Sequence, residues 1–110
     1  MSFVSDEQAS KALDWLVANA RNLGELKRQQ VLTESMTKRI KAIEMARSDA
    51  KTVAEKERDA LASDAYLEAI TAEAEAAGAY EEARALKDAA GARIECWRSL
   101  SATQRTLRAA

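Results

Sequence analysis

The stretch Ser63 to Leu100, SDAYLEAITAEAEAAGAYEEARALKDAAGARIECWRSL, decides the fold. It opens on Ser63-Asp64, a pair suited to cap a helix by accepting a hydrogen bond from a free backbone N–H. Behind it Leu67, Ile70, Ala74, Ala77, Ala83, Leu86, Ala90, Ile94, Trp97 and Leu100 recur mostly at intervals of three and four. That spacing places side chains on one face of an α-helix. Tyr66 and Tyr80 lie near the edges of this stripe, and Gly78 and Gly91 fall within it. One helix over 64–100 follows, with a short C-terminal tail at 101–110.

The first half repeats the pattern. Ser5 and Gln8 form a capping box, and Asp6 and Glu7 suit the positive end of a helix dipole. Phe3 or Val4 supplies the hydrophobic staple. The apolar stripe runs Leu13, Leu16, Ala20, Leu23, Leu26, Val31 or Leu32, Met36, Ile40 and Ile43. It predicts a helix over 5–46, continuous through Gly24, where a second backbone could approach. Ser48-Asp49 opens a short charged helix over 49–61, anchored by Val53 and Leu61. The chain has no proline and three glycines in 110 residues, so little in it breaks a helix. No repeat and no Pro/Gly/Ser-rich linker divides it, which predicts a single helical domain over 1–110.

Two long helices joined through a short one predict an all-α fold, a long antiparallel helical hairpin of coiled-coil character with the short helix at its bend. Charge agrees. Residues 21–58 carry ten Lys/Arg against six Asp/Glu, and residues 59–95 carry three against nine. Folding back near residue 56 sets the basic stretch beside the acidic one. The same register stacks Trp15 on Trp97, Leu26 on Leu86, Leu32 on Tyr80 and Ile43 on Ile70. The residues expected to carry the packing or an interface are Trp15, Leu16, Ile40, Ile43, Ile70, Ile94 and Trp97. Aromatics make up only 5% of the chain. Alanine-rich seams are thin, and a thin seam gains by adding a second copy. A homodimer is the expectation.

Several chemistries lack their residues. With no histidine and one cysteine, zinc ligand sets and His-dependent nucleophiles are missing. No glycine-rich phosphate loop is present. Glu68, Glu73, Glu75, Glu81 and Glu82 read as a solvated acidic face rather than a metal site. Cys96 reads as a small residue buried at a helix seam, with a reactive thiol near Arg93 and Arg98 as the alternative. No cofactor or metal is expected, and no enzyme. The lone cysteine fits a reducing compartment. No apolar run is long enough to cross a bilayer, and the start of the chain lacks signal-peptide features. A cytoplasmic protein is expected.

Three stretches carry a resemblance: Leu13-Asp14-Trp15-Leu16 with Asn19-Ala20; Val53 to Arg58 followed by Ala62 to Tyr66; and Ala92 to Arg98. Together they resemble small helical proteins encoded by bacteriophages and prophages, some near recombination or single-strand-annealing genes. The resemblance covers most of the chain and holds no catalytic motif. It implies an accessory protein in the host cytoplasm and assigns no residue a role.

The expected function is therefore non-enzymatic: a helical protein acting through contacts with itself and a protein partner, which the resemblance places in phage DNA recombination or replication. Two rivals remain. Nucleic acid could be contacted through Lys38, Arg39 and Lys41 on the first helix and Arg98, Arg105 and Arg108 near the end. Alternatively, the acidic face of the third helix could inhibit a host DNA-processing enzyme as a phosphate decoy. No membrane partner is expected.

Overall fold

Three helices follow in order, α1 Asp6–Arg47, α2 Val53–Leu61 and α3 Asp64–Ala109. The computed structural model describes residues 3–109. The fold is an all-α helical hairpin, with α1 and α3 as its long arms and α2 between them.

Local chemistry sets the helix starts. Ser5 Oγ accepts from the Gln8 backbone N–H at 3.2 Å, and the Ser5 N–H donates to Gln8 Oε1 at 3.0 Å. This reciprocal pair is the expected capping box. Phe3 is exposed and Val4 half-buried, so any staple falls to Val4. Ser63 Oγ accepts from the Tyr66 N–H at 3.2 Å and donates to the Ala60 carbonyl, joining the end of α2 to the start of α3.

Two boundaries differ from expectation. The short helix begins at Val53 rather than residue 49, because Thr52 is its N-cap and accepts from the Glu55 N–H at 3.2 Å. Ser48 does not cap it; the Ser48 hydroxyl accepts from the Ala50 N–H and donates to Asp59 on α2. The expected tail at 101–110 is helical through Ala109, and Ala110 lies outside the described residues. Thr103 and Thr106 donate their hydroxyls to the carbonyls of Ser99 and Ala102, so they do not compete for backbone N–H groups.

The chain divides into two compact units. One joins the chain through Leu23 to the chain from Glu82 onward, and the other is Gly24–Glu81. In the first, Ala9, Ala12, Leu16, Asn19 and Leu23 of α1 are buried or half-buried, at alternating steps of three and four. They face Ala83, Ala90, Ile94 and Trp97 of α3, which follow the same rhythm. In the second, Leu26, Gln30, Thr33, Thr37, Ile40 and Glu44 of α1 and Tyr66, Ala69, Glu73, Ala76 and Tyr80 of α3 are buried or half-buried at the same steps, and the Thr37 hydroxyl reaches the Ala69 carbonyl. Such a heptad seam is the pattern of a coiled coil. Its polar members bond back to their own helix: Thr33 to the Gln29 carbonyl, Thr37 to the Thr33 carbonyl, Asn19 to the Trp15 carbonyl.

The register is not the predicted one. Trp97 pairs with Asp6, not with Trp15; Trp15 lines a groove with Leu86, Ala89, Ala90 and Arg93. Leu32 is not the partner of Tyr80, since the Lys27 ammonium stands over the Tyr80 ring at 4.9 Å. Thr37, not Ile43, stands level with the start of α3, its hydroxyl 3.4 Å from the Ala69 carbonyl. Leu26 and Leu86 fall in different units. The mismatch is about seven residues, one heptad. Its cause lies at the bend. Thr37 sits ten residues before the end of α1, whereas Ala69 sits five residues into α3. The last turns of α1 thus run past α3, and α2 occupies them through Lys41–Glu57 at 2.9 Å and Ser48–Asp59.

Candidate interaction surfaces

Only alanines and one threonine are buried among the described residues: Ala9, Ala12, Ala60, Ala83, Ala90 and Thr37. The seam takes small side chains because the two helices approach closely, and the large apolar ones are pushed to its flanks. Of the residues expected to carry the packing, Trp15, Leu16, Ile40, Ile43, Ile94 and Trp97 are half-buried, and Ile70 is exposed.

What remains outside is considerable. On α1 in the first unit, Leu13 and Val17 are 55% and 74% exposed. They stand one turn apart, with exposed Ala20 continuing the line. Leu13 also borders an apolar groove completed by Ala9, Ser10, Ile94 and Trp97, with Asp6 at its end. On α1 in the second unit, Leu32 and Met36 are 44% and 41% exposed. On α3, Leu67 and Ile70 open the expected inward stripe but lie outside it. The seam there runs through Tyr66, Ala69 and Glu73 instead.

The charges are arranged along helices more than between them. Lys11–Glu7, Arg28–Glu25, Arg47–Glu44 and Arg98–Glu95 each join neighbours on one helix. The hydrogen bond from Arg28, at 2.6 Å, holds the Glu25 carboxyl below the usual carboxylate range. The Lys41–Glu57 bond, between α1 and α2, holds the Lys41 ammonium above the usual lysine range. Lys38, Arg39, Glu68, Glu75 and Glu82 are exposed and enter no ion pair among the described residues. The basic stretch of α1 and the acidic stretch of α3 therefore do not neutralise each other through these side chains.

The candidate nucleic-acid contacts separate. Lys38, Arg39 and Lys41 belong to the second unit, and Glu57 occupies Lys41. Arg98, Arg105 and Arg108 belong to the first unit, where they line one groove with Asp6, Trp97, Ser101 and Gln104. Cys96 is exposed, not buried at a seam as its small size suggested. Among the described residues no three Asp, Glu or Cys converge as metal ligands. Among the described residues no helix is long and apolar enough to cross a membrane.

Sequence spacing reached the α1 stripe but missed Leu13 and Val17 as an outward pair. The missed signal was the second heptad of small residues, Ala9, Ala12 and Ala83, Ala90, which competes with the leucines for the seam. No family model matches the chain, and no curated protein or solved structure matches it. The resemblance to phage-encoded helical proteins gains no support from these comparisons.

Proposed function

We propose that this chain is a non-enzymatic interaction protein that offers long helical faces to a protein partner and to a second copy of itself. One observation carries this reading. Large apolar side chains stand outside a seam that buries only alanine and threonine. Apolar stripes on long helices are recognised by other amphipathic helices, which gain roughly 25 cal/mol for each Å² removed from water. DNA recombination or replication is the process to look in first, on the strength of the sequence resemblance alone.

The test is a paired substitution in the first unit. Leu13→Glu with Val17→Glu should leave the helical circular dichroism intact, because both side chains already face solvent. It should remove the proteins that the unaltered chain retains when immobilised. If the same proteins remain, or if the variant unfolds, the stripe is structural and the reading fails.

A second reading has an observation of its own. Arg98, Arg105 and Arg108 line one groove beside Trp97, whose indole holds the one acid there, Asp6, and this mostly basic surface suits a nucleic-acid strand. It predicts retention on single-stranded DNA that falls steeply with salt and is lost on neutralising Arg105 and Arg108. Salt-independent retention, or none, would remove it.

A further inference from the structure

Within Gly24–Glu81 the two long helices present matching but unsatisfied faces. On α1, Met36 and Ile43 each precede a seam residue, Thr37 and Glu44, and Leu32 lies one turn before Met36. On α3, Ala65, Ala72 and Ala79 precede the seam residues Tyr66, Glu73 and Tyr80 in the same way. In an antiparallel helix pair, positions that precede the seam in both helices share one flank. That flank is a ridge of long apolar side chains on α1 beside a row of alanines on α3. Outside the ridge stands Arg39, and outside the alanines stand Glu68 and Glu75, all without ion-pair partners among the described residues. A helix with apolar knobs and an arginine and a helix with holes and glutamates are complementary. Here both belong to one chain, so the flank is complementary to itself.

Symmetry then limits the docking. Two hairpins can stack flank to flank about a two-fold axis along the helices or across them. An axis across the helices sets α1 against α1 and α3 against α3, so the glutamates of α3 meet one another and Arg39 meets none of them. An axis along them sets α1 of one copy against α3 of the other, running antiparallel, and rotation about it leaves every height unchanged. The level of each contact is then the one seen within the hairpin, where Thr37 reaches Ala69. The opposite charges favour the second arrangement and disfavour the first.

Area points the same way. The chain exposes 8304 Å². A folded monomer of 12.0 kDa exposes roughly 6,000 Å² by the usual scaling. The surplus, about 2,300 Å², exceeds the roughly 800 Å² that each partner covers in a stable interface of standard size.

We infer that a second copy of this chain docks on this flank, each α1 lying antiparallel along the other copy's α3. Leu32 and Met36 of one copy straddle Ala72 of the other, and Arg39 pairs with the other copy's Glu68. This deepens the self-association just proposed and rests on it.

Sedimentation velocity over a dilution series of the full chain tests the assignment. The unaltered chain should be dimeric at ~100 μM and dissociate on dilution. Arg39→Glu and Glu68→Arg should each weaken the dimer about ten-fold or more, and the two together should restore it to within about three-fold. Met36→Glu should weaken it at least as much while its circular dichroism stays helical. A dimer that ignores Met36→Glu, or a double reversal weaker than either single one, overturns this face but leaves self-association standing. A chain that stays monomeric at ~100 μM overturns both.

Discussion

The Trp97 indole N–H on α3 donates to the Asp6 carboxylate in the first turn of α1 at 2.6 Å. The bond spans 91 positions of sequence and ties the N-terminal turn of α1 to α3 within the first unit. Asp6 thereby serves two ends, facing the positive terminus of its own helix and accepting from the opposite one. Trp97→Phe keeps a ring in place and removes the donor. It should lower stability by about 0.5–1.5 kcal/mol, as for a single hydrogen bond in a partly solvated site. Asp6→Ala should cost at least as much, and the double variant less than the sum of the two. Additive thermal shifts across this cycle would show that the two side chains do not interact.

The three glycines offer a change in the other direction. All lie inside long helices, none has positive φ, and a methyl group built at Gly24, Gly78 or Gly91 meets nothing within 4 Å. The close backbone approach that Gly24 suggested is therefore not made. Alanine at each position should stabilise by about 1 kcal/mol through helix propensity alone. Urea denaturation of Gly24→Ala and Gly78→Ala would measure it. A loss of stability in either would mean that the glycine is needed for a contact outside this chain.

The helix starts could be read from sequence because capping is local. Ser5 and Gln8 are three residues apart, as are Ser63 and the Tyr66 N–H, and no distant part of the chain decides either bond. The register could not be read, because it depends on how far α1 runs past α3. That offset is set by α2 lying against the end of α1 through Glu57 and Asp59. A shift of one heptad still matches small residues to small residues, so an alanine-rich pattern does not report it. The seam was also read as leucine-rich, whereas Gln30, Thr33 and Thr37 occupy it. Threonine can do so because its hydroxyl donates to its own helix, and at Thr37 the same hydroxyl also reaches the Ala69 carbonyl across the seam. The outward stripes followed from that exchange and were hidden with it.

Close approach of the helices rests on the smallest seam residues. Ala83 and Ala90 are 8% and 4% exposed. Ala90→Leu adds bulk at a buried seam position and should cost about 1–3 kcal/mol. Leu86, four residues earlier, is exposed on the flank. Leu86→Ala should change stability by less than about 1 kcal/mol, since most of its surface is already hydrated. The reverse order in thermal unfolding would relocate the seam to the leucines.

The Lys41–Glu57 pair joins α1 to α2 and sets the offset of the hairpin, so its titration should be visible in stability. Lys41 is held above its ordinary value of 10.5, chiefly by the hydrogen bond to Glu57 and then by its charge. A pKa raised on folding means that the folded chain binds this proton more tightly than the unfolded chain. The stabilisation is complete below the unfolded value and fades as pH rises through the folded one. Lys41→Met should therefore melt below the unaltered chain by a constant margin from about pH 7 to pH 9. That margin should shrink beyond about pH 10.5, and in concentrated salt, because the pair is open to solvent. A margin unchanged up to pH 12 would show that the lysine acts by packing its stem and that its charge contributes nothing.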